Sequence, residues 1–286
     1  MANFGNFDKK YGYMKIAICG MASDRLETGP AGHLMNLLVS KGAEVCVCAD
    51  KLPSGADMLL ALGGDGTFLS TLRLAYGLDI PVAGINFGRL GFLTSARMDG
   101  DCPRWVDDLL EGRYTVQERS VLQISSACLP DDFLSLALNE FVVRRRDSNI
   151  LSVDVSVDGH PLPPYWADGL MFVTPTGSTA YSLSLGGPVV MPDSRVMLIT
   201  PLASHNLNVR PLVIPLDSVV EFVFHTSDGN GILTADNRAV EIPAETSFRI
   251  TCGASSLKCV SLNDDNFINA LSTKLLWGED RRNIQL

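Results

Sequence analysis

The residues with the most definite chemistry are a carboxylate set among glycines. Residues 61–69 read Ala-Leu-Gly-Gly-Asp-Gly-Thr-Phe-Leu, and Asp65 closely follows the apolar residues 58–60. Glycines let backbone N–H groups approach an anion closely, and a helix beginning here would direct its partly positive N-terminus at the same point. An acid in such a phosphate cradle has a role if it binds a metal ion or takes a proton from an attacking hydroxyl. The turn therefore predicts phosphoryl transfer, with a helix-capping aspartate as the structural alternative.

A second cluster occupies residues 168–188. An apolar strand predicted at 170–173 leads into a stretch rich in glycines and hydroxyl side chains, namely Thr174, Thr176, Ser178, Thr179, Tyr181, Ser182 and Ser184. These hydroxyls can donate neutral hydrogen bonds to phosphate, ribose or amide groups. Ser178 is expected to cap a short helix over 179–185. The alternative is a connection whose hydroxyls satisfy its own backbone, but so many donors between two apolar runs favour ligand binding.

Two further segments carry weaker signals. Asn139 and Glu140 interrupt an otherwise apolar strand. Consecutive residues of a strand point to opposite faces, so at most one of the two faces the core unless the strand ends there. Residues 84–92 form a glycine-punctuated loop after a predicted parallel strand, and we expect this loop to line the same cleft as Asp65.

The bulk composition predicts a soluble enzyme of one large or two moderate domains. The chain has 286 residues, of which 46% are hydrophobic and 19% charged. Its net charge of -9 provides no general attraction to nucleic acids or anionic membranes. No apolar stretch approaches the roughly 20 residues that cross a bilayer, and the N-terminus lacks the basic-then-apolar order of a signal peptide. We therefore expect a cytoplasmic protein without nucleic-acid or membrane partners.

The cysteine pattern predicts neither a disulfide framework nor a zinc site. The seven cysteines form no Cys-x-x-Cys pair, and the four histidines are scattered along the chain. No metal ligands are therefore assigned from spacing alone.

The elements that must position Asp65 alternate in type. Strands are predicted at 14–20, 43–48, 57–62 and 80–85, with one helix opening at 28–30 and a second running from the glycine turn to Gly77. Such alternation implies a mostly parallel sheet, in which ligands bind outside the carboxyl ends of the strands. Asp65 follows one of these carboxyl ends.

Four segments follow from these patterns. Residues 1–13 are polar and aromatic without periodicity, and we expect a disordered lead there. Residues 14–98 are predicted to form the N-terminal α/β domain. Residues 99–265 begin with a helix near residue 105 and continue in short segments of period-two alternation, which predicts a β-rich second domain. Residues 266–286 are predicted to form a C-terminal helix and tail that pack back on the first domain.

The order of these motifs resembles that of the NAD kinases. The resemblance covers about residues 14–260 and depends on residues 63–67 (Gly-Gly-Asp-Gly-Thr), 84–86, 88–94, 139–140, 168–188 and 210–213. It implies a Rossmann-like α/β domain with a mostly parallel sheet, a C-terminal β-sandwich domain, and a cleft between them that binds NAD. It also implies transfer of the terminal phosphoryl group of ATP to the 2'-hydroxyl of the adenosine ribose of NAD, giving NADP, with magnesium or manganese. A homodimer or homotetramer is expected on the same ground.

The resemblance assigns roles to the matching positions. Asp65 would orient or deprotonate the ribose hydroxyl, and the divalent ion would lie near it. Asn139 and Glu140 would hold the adenine and ribose edges, and Phe92 would line the adenine side. The remaining binding residues would be Gly64, Gly66 and Thr67 near the phosphates, and Asp168, Thr176, Thr179, Ala180, Tyr181 and Ser184 in the dinucleotide pocket.

Some positions depart from the family's pattern. The family often has Asn-Pro after its first strand, where this chain has Gly-Met-Ala-Ser at 20–23, and often has Asp-Gly-Gln where this chain has Ala-Asp-Asn at 235–237. Trp166 stands where polar residues are often found. Because of the first departure, contacts between the loop after the first strand and the phosphoryl donor are not assigned. Trp166 could alter the selectivity of the site on its nicotinamide side.

Two other functions share some of these features. A lipid kinase of the diacylglycerol or sphingosine type has the same glycine–aspartate turn, but the 168–188 run argues against it. A catalytically silent NAD(P)-binding regulator is the second alternative. The retention of Asp65 together with both binding clusters argues against that reading.

Overall fold

The structure is a computed structural model that describes residues 13–20, 29–88, 91–98, 104–262 and 267–277. The predicted lead, apart from residue 13, and the predicted tail beyond residue 277 lie outside the described residues. So does the loop at 21–28, where the chain departs from the family's Asn-Pro. Contacts between Cα atoms divide the chain into two compact units, Met1–Gln117 with Lys258–Leu286, and Glu118–Leu257.

The described helices and strands are as follows. The helices are α1 (Gly29–Ser40), α2 (Asp65–Ser70), α3 (Leu72–Ala75), α4 (Arg104–Leu110), a 3-10 turn (Thr176–Thr179), α5 (Tyr181–Ser184) and α6 (Phe267–Leu275). The strands are β1 (Lys15–Cys19), β2 (Glu44–Val47), β3 (Met58–Leu62), β4 (Val82–Asn86), β5 (Ala96–Arg97), β6 (Tyr114–Arg119), β7 (Leu122–Ser125), β8 (Leu136–Ala137), β9 (Glu140–Arg145), β10 (Leu151–Val157), β11 (His160–Pro161), β12 (Tyr165–Ala167), β13 (Gly169–Val173), β14 (Val196–Leu202), β15 (Leu212–Pro215), β16 (Val220–His225), β17 (Asn230–Ala235), β18 (Arg238–Pro243), β19 (Ser247–Cys252) and β20 (Leu257–Leu262).

The first unit is built on a largely parallel sheet. Its strand order is β2-β1-β3-β4-β20-β6, with β5 added beside β4, and the pairs β1–β2, β1–β3, β3–β4, β4–β5 and β4–β20 are all parallel. Every residue of β3 and of β4 is buried. Continuous apolar runs of this kind belong to strands covered on both faces. The predicted α/β domain is confirmed, and Asp65 begins the helix that follows the carboxyl end of β3.

The second unit is a β-sandwich. One sheet has the order β11-β10-β16-β19-β7-β8, with β12 beside β10, and the other has the order β15-β14-β13-β9-β17-β18. Residues of both sheets share one core, in which the rings of Phe172, Phe222 and Phe248 stack with centroids 4.9 Å and 5.0 Å apart. In β10 the valines are buried or half-buried and Asp154 is exposed, as period-two alternation predicts. The predicted β-rich domain is confirmed as a sandwich.

The division by contacts differs from the predicted boundary at residues 98 and 99. It assigns residues up to 117 to the first unit, because Trp105, Val106 and Leu109 of α4 pack into that unit's apolar core. It also returns most of β20 to the first unit, where this strand pairs with β4. Period-two alternation in a strand does not reveal which sheet the strand joins.

Candidate active site

Asp65 is the first residue of α2, and its carboxylate is held by a distant segment of the chain. The helix is preceded by Gly64 and has no side-chain cap. The carboxylate instead accepts hydrogen bonds from two consecutive backbone N–H groups, with Oδ2 2.8 Å from the nitrogen of Phe92 and Oδ1 3.1 Å from that of Leu93. The helix-capping alternative is therefore not what the structure shows. Asp65 is anchored to the loop after β4.

The loop that donates these bonds requires glycine at its centre. A Cβ atom on Gly91 would lie 1.9 Å from Oδ1 of Asp65, far inside contact distance. The N–H of Gly91 donates to Oγ1 of the buried Thr94 at 2.8 Å, which folds the loop back on itself. Gly91 thus allows the carboxylate to lie directly against the backbone, while Thr94 maintains the turn.

The glycines before Asp65 serve different purposes. Gly63 has a φ of +153°, and a Cβ there would lie 2.3 Å from Oγ1 of Thr67, whose methyl group in turn occupies the space over Gly20. The side chain of Thr67 is therefore packed against two glycines. Gly64 and Gly66 are exposed, and a Cβ on Gly66 would meet no atom within 4 Å. This face of the turn is accessible to a ligand.

The ring of Phe92 lies against the C-terminal helix α6. Its centroid is 6.1 Å from that of Phe267, and the ammonium group of Lys274 lies 5.2 Å from it. Lys274 also donates a hydrogen bond to the carbonyl oxygen of Gly91. Helix α6 thus contacts the loop that holds Asp65. The role of Phe92 in lining the adenine site stays a prediction.

Asn139 and Glu140 are held in place by an acid that the sequence did not single out as a site residue. Asp236 accepts hydrogen bonds from the backbone nitrogens of Leu138, Asn139 and Glu140 at 3.0, 2.8 and 3.3 Å. Its side chain is only 1% exposed and lies 3.6 Å from the guanidinium of Arg238. Burial raises the pKa of Asp236, and the backbone donors and Arg238 oppose that rise. The carboxylate thereby fixes the start of β9.

The backbone at Asp236 is also unusual. Its φ is +53°, in the left-handed region that L residues other than Gly, Asn and Asp rarely occupy. Asp236 is the acid of the Ala-Asp-Asn segment at 235–237, which stands where the family often has Asp-Gly-Gln. The signal available in the sequence was an acid in a turn between two strands, and nothing in its spacing indicated contact with residues 138–140.

Glu140 is buried without a full set of partners. Its Oε2 atom has no hydrogen-bond partner. Burial, and secondarily the negative charge of Asp236, raise the pKa of Glu140 from 4.5 to about 8. At neutral pH its carboxyl is therefore protonated and offers an O–H donor. Oγ1 of Thr176 is another buried oxygen without a hydrogen-bond partner. Buried polar atoms are usually satisfied, so both atoms indicate a site for a polar ligand.

The structure brings the Asn139 segment and the start of the hydroxyl-rich run together. Thr174 donates from its backbone N–H to Asn139 O at 2.8 Å and from its hydroxyl to Leu138 O at 2.6 Å. A Cβ on Gly177 would lie 2.3 Å from the carbonyl oxygen of Asn139. Gly177 is thus needed for the close approach of the two segments. These contacts place Glu140 and Thr176 on adjacent segments.

The prediction that Ser178 caps a helix is wrong. Its hydroxyl donates to Pro175 O at 2.7 Å and accepts from the N–H of Val190 at 3.0 Å, while α5 begins later, without a side-chain cap. The hydroxyl bridges two backbone segments, because the chain forms a 3-10 turn where a longer helix was expected. Thr179 and Ala180 are half-buried, and Tyr181 and Ser184 are exposed.

Asp168 lies apart from this group within the chain. It precedes β13, whereas Thr174 follows that strand, and the register pairs Val173 with Glu140 at the far end. At 3.3 Å per residue the five-residue strand separates the two ends by roughly 16 Å. Asp168 instead forms an ion pair with Arg145 at 3.1 Å. Neighbours in the sequence motif are thus not neighbours in the sheet.

The described residues include no ready-made metal centre. Within them, no three or more His, Cys, Asp or Glu side chains come close enough together to hold a metal ion. None of the described helices is both long and apolar enough to cross a membrane.

Comparisons with known proteins identify both parts of the chain. The ATP-NAD kinase N-terminal domain family matches residues 35–114, and the ATP-NAD kinase C-terminal domain family matches residues 138–262. An NAD kinase of Christiangramia forsetii is 36% identical over 295 residues, which cover 94% of this chain and 100% of that protein.

Two solved structures have the same fold. Yeast NADH kinase complexed with NADH matches with a TM-score of 0.80 at 21% identity, covering 95% of this chain and 90% of that one. An NAD kinase from Archaeoglobus fulgidus in complex with ATP matches with a TM-score of 0.70 at 25% identity, covering 93% and 98%.

Proposed function

This chain belongs to the NAD kinase family, and we propose that it transfers the terminal phosphoryl group of ATP to the 2'-hydroxyl of the adenosine ribose of NAD, giving NADP and ADP. The observation that carries the proposal is the anchored carboxylate of Asp65 on an exposed glycine turn. A carboxylate with two fixed hydrogen bonds has a defined orientation. It can therefore direct an acceptor hydroxyl at a phosphorus atom.

The role of Asp65 is mainly to orient the acceptor. Phosphoryl transfer passes through a loose transition state in which positioning and charge neutralisation supply most of the acceleration. The carboxylate accepts a hydrogen bond from the 2'-hydroxyl and holds the hydroxyl oxygen in line with the transferred phosphoryl group. It can then take the proton as the bond between this oxygen and phosphorus forms. Gly64 and Gly66 leave room for the phosphates beside it.

The buried polar atoms of the sandwich support binding of the adenosine part of NAD. The protonated carboxyl of Glu140 and the hydroxyl of Thr176 lack protein partners at Oε2 and Oγ1, and a ribose or adenine edge would satisfy them. A site built to hydrogen-bond a substrate discriminates strongly against analogues without the matching groups, because its own buried polar atoms are then left unpaired. Asn139 adds an amide that can both donate and accept.

A divalent ion would be held mainly by the triphosphate. Magnesium in nucleotide sites keeps several waters and binds one or two carboxylates besides phosphate oxygens, so no dedicated cluster of ligands is needed. Asp65 is the carboxylate placed to contribute, since each of its oxygens retains a lone pair beyond the one used by the backbone. The ion would neutralise triphosphate charge, which a chain of net charge -9 does not do by itself.

We further propose a homodimer or homotetramer in which a second copy supplies Asp168. The separation of roughly 16 Å along β13 keeps Asp168 away from the Glu140 end within one sandwich. Co-expression of Asp65→Asn and Asp168→Ala chains, each inactive alone, should then restore activity in mixed oligomers. A fully active monomer in light scattering would contradict this arrangement. None of the six described cysteines forms a disulfide, which suits a cytoplasmic enzyme.

The central test is Asp65→Asn, assayed with each of ATP, other triphosphates and polyphosphate against NAD and NADH. NADP or NADPH is quantified by chromatography, and circular dichroism checks the fold. We expect NADP formation from ATP and NAD by the unaltered chain and a loss of at least about a hundredfold in the variant. An Asp65→Asn protein that keeps its activity would overturn the assigned role. Absence of turnover in the unaltered chain with every donor would favour a silent dinucleotide-binding protein.

A further inference from the structure

Lys274 occupies a distinctive place in the first unit. It lies in the last turn of α6 and is half-buried. Its ammonium group donates to the carbonyl oxygen of Gly91 and lies 5.2 Å from the centre of the Phe92 ring. A lysine near a helix C-terminus commonly offsets the helix dipole alone. Here its charge is directed at one peptide group of the loop that holds Asp65.

That peptide group connects the two charges. The carbonyl of Gly91 and the N–H of Phe92 belong to the same peptide unit, and this N–H donates to Oδ2 of Asp65 at 2.8 Å. The ammonium of Lys274 therefore contacts the oxygen end of the peptide dipole, while the carboxylate contacts its hydrogen end. Hydrogen bonds that share a polarisable group strengthen one another. The peptide is fixed in orientation from both sides.

The helix is itself well placed to hold this arrangement. Ala270 and Leu271 of α6 are buried, and the ring of Phe267 packs on that of Phe92. Gly91 cannot carry a side chain without striking Asp65, so the loop has no anchoring side chain at this residue. The position of the 91–92 peptide is set by Thr94 within the loop and by α6 outside it.

We propose that Lys274 is a positioning residue for phosphoryl transfer, acting through the 91–92 peptide to hold Asp65 in line with the acceptor hydroxyl. This inference depends on the proposed function, because it assigns Asp65 the role given above. In this role Lys274 acts through the loop and needs no contact of its own with the substrate or the transferred group. Its removal should therefore affect the chemical step more than the binding of NAD or ATP.

The test is the kinetics of Lys274→Met, which keeps the aliphatic stem and removes the ammonium group. We expect kcat to fall about tenfold, as for the loss of one charge-assisted hydrogen bond, with KM for NAD and ATP changed by less than about twofold. Lys274→Arg, which keeps the charge and the donors, should recover most of kcat. The matched control is Lys258→Met in β20, whose ammonium contacts Asp79, and it should have the kinetics of the unaltered chain.

The outcomes separate this inference from the proposed function. If Asp65→Asn is inactive and Lys274→Met retains full kcat, the function stands and the positioning role is overturned. A lower melting temperature with unchanged kcat, or a kcat that Lys274→Arg does not restore, would also overturn it. If Lys274→Met yields little folded protein, Lys274→Gln takes its place, since it removes the charge and keeps an N–H donor.

Discussion

Replacing Glu140 by glutamine should stabilise the protein relative to the unaltered chain, by an amount that grows as the pH rises. The folded protein keeps the carboxyl proton up to a pKa of about 8, because burial and the charge of Asp236 disfavour the carboxylate, whereas the ordinary value is 4.5. Between these values the unfolded chain releases the proton and the folded chain retains it. Stability therefore falls as the pH rises through this interval and levels off above pH 8. Glutamine carries no such proton and escapes the loss.

The expected size follows from the same two values. At 1.36 kcal/mol per pH unit, the free energy of unfolding of the unaltered chain should fall relative to Glu140→Gln by roughly 3 kcal/mol between pH 4.5 and 7, and by roughly 4 kcal/mol up to pH 8. Below about pH 4.5 the carboxyl is protonated in both the folded and the unfolded chain, so the difference between the two proteins there no longer depends on this proton. An exposed residue on β16, Glu221, provides the matched control as Glu221→Gln.

The measurement is urea unfolding at pH 5, 6, 7 and 8 at constant ionic strength. Tryptophan fluorescence follows unfolding of both units, because Trp166 belongs to the second and Trp105 and Trp277 belong to the first. We expect the curves of the unaltered chain and of Glu140→Gln to diverge with pH, and those of the control to run parallel. If the difference between Glu140→Gln and the unaltered chain stays constant within about 0.5 kcal/mol from pH 5 to 8, Glu140 is not a buried neutral acid.

Two other perturbations test the frame around these residues. Gly91→Ala should lower both the activity and the melting temperature, since its Cβ would lie 1.9 Å from Oδ1 of Asp65. A thermal double-mutant cycle should show a smaller loss of stability from Gly91→Ala in an Asp65→Ala background. Additive effects of the two substitutions would mean that the two residues do not collide. The pKa of His225 is raised by its hydrogen bond to Glu245 and, to a smaller extent, by its hydrogen bond to Asp154. Protonated His225 should therefore stabilise the fold below about pH 6.5, and this effect should disappear as the pH passes the raised pKa. His225→Gln should accordingly lower the melting temperature at pH 5.5 and not at pH 9. Equal losses at both values would assign it a packing role.

Much of the fold could be predicted from local patterns. The apolar run of β3 and the mostly apolar run of β4 are buried on both faces of a parallel sheet, and the alternation in β10 gives one buried face in the sandwich. These patterns are predictive because side chains on a buried face of a strand are apolar, so the sequence of a strand shows which of its faces are buried. The break between α2 and α3 at Thr71 was not predicted, although the apolar stripe continues across it. The Thr71 hydroxyl bonds to Phe68 O at 2.7 Å, a local competition that periodicity does not reveal.

The candidate site could be predicted only in part from local sequence patterns. Residue types along the chain are enough to indicate the glycine turn that presents Asp65, the polar pair at 139–140 and the hydroxyl-rich run, because each is a local combination of residues. The long-range contacts emerge in the folded chain alone: Asp65 is held by the N–H groups of Phe92 and Leu93, and Asp236 fixes the start of β9. The donors in these contacts are backbone N–H groups, which nearly every residue type carries, so no residue pattern identifies the pairs that the fold brings together.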